Sequence, residues 1–173
     1  RLSEGKDFHI HAMQDKDMMK SVEGEFERRY NRKAPNDIQV LACTRKTVSE
    51  LNKILQKAVN PGNGGIRYGG QLFREGDKVM QIRNNYQLEW EVRGKYGIPV
   101  EEGVGVFNGD TGILKEINEF AETATVEFED GRFADYSFKQ LEELELAYAI
   151  TIHKSQAQNI RQLFCRSFPA PRC

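Results

Sequence analysis

The chain has 173 residues, of which 39% are hydrophobic and 29% are charged, and its formal net charge is −1. This is a globular composition that can bury a core, and no apolar stretch approaches the roughly 20 residues needed to cross a bilayer. A balanced charge excludes the uniformly basic surface typical of an isolated DNA-binding domain, so any DNA contact has to come from local geometry.

The N-terminal segment predicts a short strand followed by a helix. Residues 8–12 alternate apolar side chains with His9 and His11, which is a strand pattern. Two histidines on one strand face with no third ligand do not indicate a metal site. In the next segment an apolar residue recurs every four positions, which predicts a helix capped by Asp17. Its apolar stripe comprises Met18, Val22, Phe26 and Tyr30.

Residues 38–43 form a nearly continuous apolar run, which is typical of a strand covered on both faces in a parallel sheet. We expect Cys43 to pack within this run. The three cysteines include no CxxC pair, so the sequence predicts neither a zinc site nor disulfides and favours a reduced, cytoplasmic protein. Thr47 and Glu50 have the spacing of a capping box at the start of a second helix, which ends at residues 60–62.

After Gly64 the pattern changes to short β-type runs separated by glycine-rich turns. Asp130-Gly131 between two of these runs is a strong hairpin signal. The runs predict a small barrel of about 75 residues, in which 93–105 is a long loop. The predicted strands are 78–82, 113–117, 123–128 and 132–136.

The apolar run 144–152 resembles the buried strand at 38–43, so we expect it to be one strand that returns to the first sheet. The barrel is then an insertion. Hydroxyls, an imidazole, a cation and an amide follow at 151–156. They would lie at the carboxyl edge of the sheet, where open α/β sheets bind ligands, and such groups can contact phosphates. A solvated loop is the ordinary alternative for such a segment.

Four blocks of this sequence, in this order, resemble the RecD/TraA group of superfamily-one DNA helicases, and the resemblance extends over residues 7–156. The first block is 39–45, followed by Leu51-Asn52, Leu55-Gln56 and Asn60-Pro61. The second and third blocks are 73–86 and 106–112. The fourth is 146–151, which continues into His153-Lys154-Ser155-Gln156.

This resemblance implies an α/β fold: a partial RecA-like (P-loop NTPase-type) lobe, the second of the motor, with an inserted small SH3-like β-barrel. The implied divisions are 1–65 for the first part of the lobe, 66–143 for the barrel, 144–160 for the return strand with motif V, and 161–173 for an atypical tail.

The resemblance also implies a parent enzyme that moves along single-stranded DNA by ATP hydrolysis, such as the alpha subunit of exodeoxyribonuclease V, which acts in DNA repair. It places Thr151 and His153 near the DNA backbone and assigns Gln156 to coupling with the nucleotide cleft. The barrel would help to guide DNA, with Lys78 and Asn84 among the weaker candidates. The full set of implied DNA contacts is Thr44, Arg45, Asn52, Arg83, Asn85, Tyr86, Thr151, His153, Lys154 and Ser155.

The sequence departs from the family at both ends. It contains no GxxxxGK[ST] phosphate loop, so we expect ATP and Mg²⁺ to belong to the parent protein and none to bind this fragment, which would be inactive alone. The expected partners are single-stranded DNA, the N-terminal ATP-binding lobe and other nuclease or helicase subunits, with no membrane. After Gln156 the family's glycine is replaced by Ala157, which suggests a non-native tail without a strand and self-association through an exposed sheet edge.

Other interpretations stay open at this stage. The chain could be a non-motor module that binds nucleic acid or protein through a small barrel, or a purely structural lobe of a multisubunit nuclease. Individual residues have simpler explanations as well: 108–110 as a turn, 83–85 as a strand end, and Arg45 as a solvated helix start.

Overall fold

The described part of the chain is mixed α/β with mostly antiparallel strands, and the computed structural model gives residues 15–152 and 163–166. The α-helices are α1 (Asp15–Arg29) and α2 (Arg45–Val59). The strands are β1 (Gln39–Ala42), β2 (Ile66–Tyr68), β3 (Gln71–Phe73), β4 (Lys78–Gln81), β5 (Asn85–Arg93), β6 (Pro99–Val106), β7 (Thr111–Asn118), β8 (Thr123–Phe128), β9 (Arg132–Ser137), β10 (Leu144–Leu146), β11 (Ala149–Thr151) and β12 (Leu163–Arg166).

The described residues form a parallel sheet of three strands, in which β1 lies between β11 and β12. All four residues of β1 are buried, which confirms the prediction that the apolar run at 38–43 is a strand of a parallel sheet. Helix α2 packs Leu51 and Leu55 into the core beside it, and both side chains are almost fully buried.

The second large sheet has seven antiparallel strands in the order β10-β4-β7-β8-β9-β5-β6. It contains the four strands that the short β-type runs predict. The hairpin prediction at Asp130-Gly131 is also confirmed, because Gly131 N–H donates to the Phe128 carbonyl at 3.0 Å where β8 turns into β9. A small separate hairpin pairs β2 with β3.

The prediction of a long loop at 93–105 is wrong. These residues belong to an antiparallel hairpin in which β5 pairs with β6 around a short turn at 94–98. Most of its residues are at least partly exposed on both faces, so neither face demands an alternating apolar pattern. The sequence therefore lacks the signal on which the strand prediction depends.

The run at 144–152 forms two strands rather than the single strand expected. Leu144–Leu146 pairs antiparallel with β4, whereas Ala149–Thr151 pairs parallel with β1. Only Ala147 and Tyr148 lie between these two strands, and both residues are fully buried. The tail differs from expectation too, since β12 lies parallel to β1 and covers its other edge.

The N-terminal ends of the helices also differ from expectation. Thr44 is the N-cap of α2, and its hydroxyl accepts from the Thr47 backbone N–H at 3.2 Å. The proposed capping box at Thr47 is thus wrong by one turn. Asp17 lies inside α1 rather than before it, and Cys43 is exposed in the bend between β1 and α2.

One hydrophobic core connects helices and sheets. Phe26 stacks on Tyr30 with 5.1 Å between ring centroids, and Tyr148 meets both rings edge-on, so α1 packs on the segment that joins the two sheets. The predicted strand at 8–12 lies outside the described residues. Among the described helices, none has both the length and the apolar character needed to span a membrane.

Candidate nucleic-acid interface

The carboxyl edge of the parallel sheet brings two predicted contact segments together. Ala42 at the end of β1 is in register with Thr151 at the end of β11, and the strands run in the same direction. The chain therefore leaves both strands at one edge, where Thr44 and Arg45 begin α2 and where Thr151 is partly exposed. Ligands of open α/β sheets bind at this kind of edge.

The first turn of α2 has an unusual charge for a helix N-terminus. Arg45 and Lys46 are both exposed, and no acidic residue occurs in this turn. Cations there oppose the helix macrodipole, whereas an anion would be stabilised by the dipole and by the backbone N–H groups of Arg45 and Lys46. The arrangement is suited to binding a phosphate, and Lys46 is a contact candidate that the sequence analysis missed.

Residues 83–86 form a second, partly exposed set at the start of β5. Arg83 makes an exposed ion pair with Glu142 at 3.3 Å, and Tyr86 is 67% exposed. The Asn85 side chain makes its hydrogen bonds within the protein. Its NH₂ group donates to both carboxylate oxygens of Glu143, and its side-chain oxygen accepts from two backbone N–H groups. Of this predicted set, Arg83 and Tyr86 present the most surface to a ligand.

Two residues expected to face DNA lie in the interior instead. Asn52 is buried: its amide donates to the carbonyls of Leu146 and Ala149 at 2.8 and 3.0 Å and its oxygen accepts from the Ala149 N–H. It therefore fixes the backbone that enters β11. Lys78 is only 2% exposed. Neither side chain has surface to offer to DNA.

The segment 106–112, one of the resemblance blocks, has a structural role in the second sheet. Asp110 accepts from the Phe107 N–H at 3.1 Å and pairs with Arg132 at 2.9 Å, which closes the turn predicted at 108–110. Thr111 donates to Glu129, which lies in the turn between β8 and β9. His153, Lys154, Ser155 and Gln156 lie outside the described residues, and their predicted roles stay predictions. Within the described residues, no group of three potential metal ligands occurs.

A buried carboxylate, Asp77, connects the two sheets. One of its oxygens accepts from Asn60 and Tyr148 at 2.8 and 2.9 Å, and the other accepts from Gln56 and the Arg74 N–H at 2.6 and 2.7 Å. Burial raises the pKa of the Asp77 carboxyl above its usual range, although these donors act against that rise. We call these five residues the Asp77 joint.

Lys78 forms a second internal connection next to the Asp77 joint. Its ammonium donates to the Gln39 side-chain oxygen at 3.1 Å and to the Pro35 carbonyl at 3.3 Å. Burial lowers the pKa of Lys78 to about 8, and the Glu129 charge opposes this shift. A buried ammonium held by neutral acceptors is costly to keep charged.

We predict that Lys78→Met removes a pH dependence of stability above pH 8. The native pKa of about 8 lies below the usual 10.5. At Lys78 the unfolded chain therefore binds more protons between these pH values, so the contribution of Lys78 to stability rises as pH rises through them. Urea unfolding at pH 8 and pH 10 would measure the gain. The exposed Lys53→Met is the control and should retain it; an unchanged gain in Lys78→Met would contradict the prediction.

Residues 51–128 match the model of the SH3 domain of ATP-dependent RecD-like DNA helicases. The chain is also 35% identical, over 127 residues, to the ATP-dependent RecD2 DNA helicase of Deinococcus radiodurans, a match that covers 70% of this chain and 15% of that protein. The chain resembles the RecD-like DNA helicases in both comparisons. The matched domain begins inside α2 and ends with β8, so it includes every residue of the joint except Tyr148.

Other similar proteins include an uncharacterized protein of Methanocaldococcus jannaschii, 35% identical over 96 residues, or 50% of this chain and 8% of that one. The chain thus spans less than a fifth of either relative. Among solved structures, a Bacteroides Pif1 helicase in complex with ADP-AlF3 and ssDNA gives a TM-score of 0.49 at 16% identity, covering 88% of this chain and 39% of that chain. Unliganded Pif1 from Bacteroides sp. gives 0.41 at 21% identity, covering 76% and 49%.

Proposed function

We propose that this chain is the part of an ATP-dependent DNA helicase that holds single-stranded DNA. In this proposal the parallel sheet with α2 is the second RecA-like lobe, and residues 66–143 are an SH3-like barrel inserted into it. The single observation that carries the proposal is the pair of exposed cations, Arg45 and Lys46, at the N-terminus of α2 on the carboxyl edge of the sheet. Such an edge suits contacts to the phosphate backbone, which position a strand without selecting its sequence.

The proposed DNA contacts form two sets. The first is Thr44, Arg45 and Lys46 at the start of α2, with Thr151 and the residues after it on the neighbouring strand. The second is Arg83 and Tyr86 in the antiparallel sheet. Because the chain is not basic overall, binding would depend on these local cations and would be strongly salt-dependent.

The residues of this chain do not fit an ATP site of their own. No phosphate loop occurs among the 173 residues, so the backbone cradle and lysine that hold the phosphates have no counterpart here. We propose that another part of the full-length helicase binds ATP and Mg²⁺ and that this chain responds to it. Purified alone, the chain should not hydrolyse ATP, with or without single-stranded DNA.

Reversing both charges at the start of α2 tests the DNA-binding proposal. We expect Arg45→Glu with Lys46→Glu to weaken binding of a labelled oligo-dT, measured by fluorescence anisotropy at low salt, by at least about tenfold. The slope of log affinity against log salt should fall by about 1.4, since each phosphate contact to a single strand contributes about 0.7.

The matched control uses the same helix and the same change in net charge. Lys53 and Lys57 are exposed farther along α2, away from the carboxyl edge. Lys53→Glu with Lys57→Glu should change affinity by no more than about twofold and leave the salt slope intact. Equal losses in both double variants would show a non-specific charge effect and would contradict the proposed site.

A further inference from the structure

Two exposed aromatic rings lie side by side where β5 begins and β6 ends. Tyr86 is 67% exposed and Phe107 is 44% exposed, and their centroids are 5.8 Å apart at an interplanar angle of 74°. They follow directly after Asn85 and Val106, which face each other in the β5–β6 register. Adjacent exposed apolar side chains are less common on a protein surface than single ones, and contiguous apolar surface often marks a contact site.

The pair is held in place by its surroundings. The Asn84 side chain connects the two loops, because its amide donates to the Tyr86 hydroxyl at 3.2 Å and its oxygen accepts from the Asn108 N–H at 2.9 Å. The Phe107 ring lies over Gly105, where a Cβ would come within 3.2 Å of the ring. Gly105 also has a φ of +104°, so a side chain is disfavoured there on both counts.

An anionic polymer could use the guanidinium group of Arg83, which lies three residues before Tyr86. The nearby carboxylates are already engaged: Asp110 with Arg132, Glu142 with Arg83, and Glu143 with Asn85 and Gln81. The Arg83–Glu142 pair is exposed on both sides, and exposed pairs contribute little stability. Arg83 can therefore exchange its carboxylate for a phosphate at small cost.

The rest of the β5–β6 hairpin is less suited to a nucleic acid. Its outer strand exposes Val100 and Val104 together with Glu101 and Glu102, and Glu89 faces Val104 across the strands. A cluster of carboxylates repels phosphates. Contact with a nucleic acid would thus be confined to the base of the hairpin, where the two rings and Arg83 lie.

We propose that Tyr86 and Phe107 form a stacking site for bases of single-stranded DNA, with Arg83 placed for the adjoining phosphate. This rests on the proposed function and adds Phe107, which the sequence analysis did not single out as a contact. The rings accept any base because every base has a π-face, and stacking of this kind strengthens binding without sequence preference. An edge-to-face pair covers at most one face of one ring, so ring faces remain available to a base.

The test compares a dT oligonucleotide with an abasic oligonucleotide of the same length, which offers the phosphates without bases. The variants are Tyr86→Leu and Phe107→Leu, which keep apolar volume and remove the ring. We expect each to bind dT about tenfold more weakly than the unmodified chain and to bind the abasic strand equally well. Phe120→Leu is the control, since Phe120 is fully exposed on the β7–β8 turn, and it should bind both strands normally.

The outcomes separate this inference from the function on which it rests. Unchanged dT binding in both ring variants, while the Arg45 and Lys46 double variant loses affinity, would overturn the stacking site alone. Equal losses for dT and abasic strands would also overturn it, because the rings would then act only through the fold. If the unmodified chain binds neither strand at low salt, both proposals fail. Should Phe107→Leu unfold, Tyr86→Leu remains decisive, because the Tyr86 side chain is mostly exposed.

Discussion

Replacing Asp77 with alanine is expected to lower the free energy of unfolding by about 4 kcal/mol. The substitution leaves the donors of Gln56, Asn60, Tyr148 and the Arg74 N–H without their acceptor in a fully buried position. Each buried donor without a partner costs about 1 to 3 kcal/mol, and relaxation recovers part of the sum.

Asp77→Asn should have an intermediate effect, about 2 kcal/mol, because one oxygen still accepts while the new NH₂ group faces donors. Urea unfolding followed by circular dichroism measures both changes. Glu119→Ala removes an exposed carboxylate in the β7–β8 turn and should change stability by less than about 0.5 kcal/mol. Asp77→Ala as stable as this control would show that the joint does not hold the two sheets together.

Gly112→Ala is expected to destabilise the chain by about 3 kcal/mol, the upper end of typical overpacking costs. Gly112 pairs with β4 on one side and β8 on the other. A Cβ there would lie 2.5 Å from the Glu127 carbonyl oxygen and 2.8 Å from a Val126 methyl group. The first obstacle is backbone in the middle of a sheet, which cannot move aside without shifting a strand.

The same substitution at Gly24 should have the opposite sign. Gly24 lies inside α1, and a Cβ there meets no atom within 4 Å. Alanine in a helix interior is favoured over glycine by about 0.5 to 1 kcal/mol, so Gly24→Ala should raise the midpoint of urea unfolding. A Gly112→Ala protein with an unchanged or higher midpoint would mean that the close approach between β7 and β8 is not restrictive.

Elements that depend on local pattern were predictable from the sequence. The buried strand β1 follows from its continuous apolar run, α2 from its apolar stripe, and the β8–β9 hairpin from Asp130-Gly131. The hairpin β5–β6 was not, because it is exposed on both faces and so lacks a period. The N-cap of α2 was predicted one turn too late, because Thr44 and Thr47 are both threonines and the residue type does not distinguish them.

Roles set by distant residues were beyond the sequence. Asn52 and Lys78 are polar, and polarity alone favours an exposed position. Their burial depends on acceptors far along the chain, such as the Leu146 carbonyl, 94 residues from Asn52. The run at 144–152 is mostly apolar because the two sheets bury its residues in succession. This pattern does not show where the chain passes from one sheet to the other. The exposed candidates Arg45, Arg83 and Tyr86 were identifiable because the family resemblance indicated them.

The route of the chain between the two sheets also bears on how the protein is made. Gln39 on β1 and its hydrogen-bond partner Tyr148 are 109 residues apart. Asn60 lies where the chain leaves α2, and Tyr148 lies where the chain returns to the parallel sheet. Both side chains donate to Asp77. At about 5 to 20 residues per second, a ribosome needs on the order of 5 to 20 seconds to supply that partner. Over this interval β1 and α2 emerge before either parallel neighbour of β1 has been made. In the antiparallel sheet, three of the six strand pairs (β5–β6, β7–β8 and β8–β9) join consecutive strands and can form first. The pairing of β10 with β4 then brings the two ends together. Nascent chains halted before Tyr148 should thus be the most dependent on chaperones.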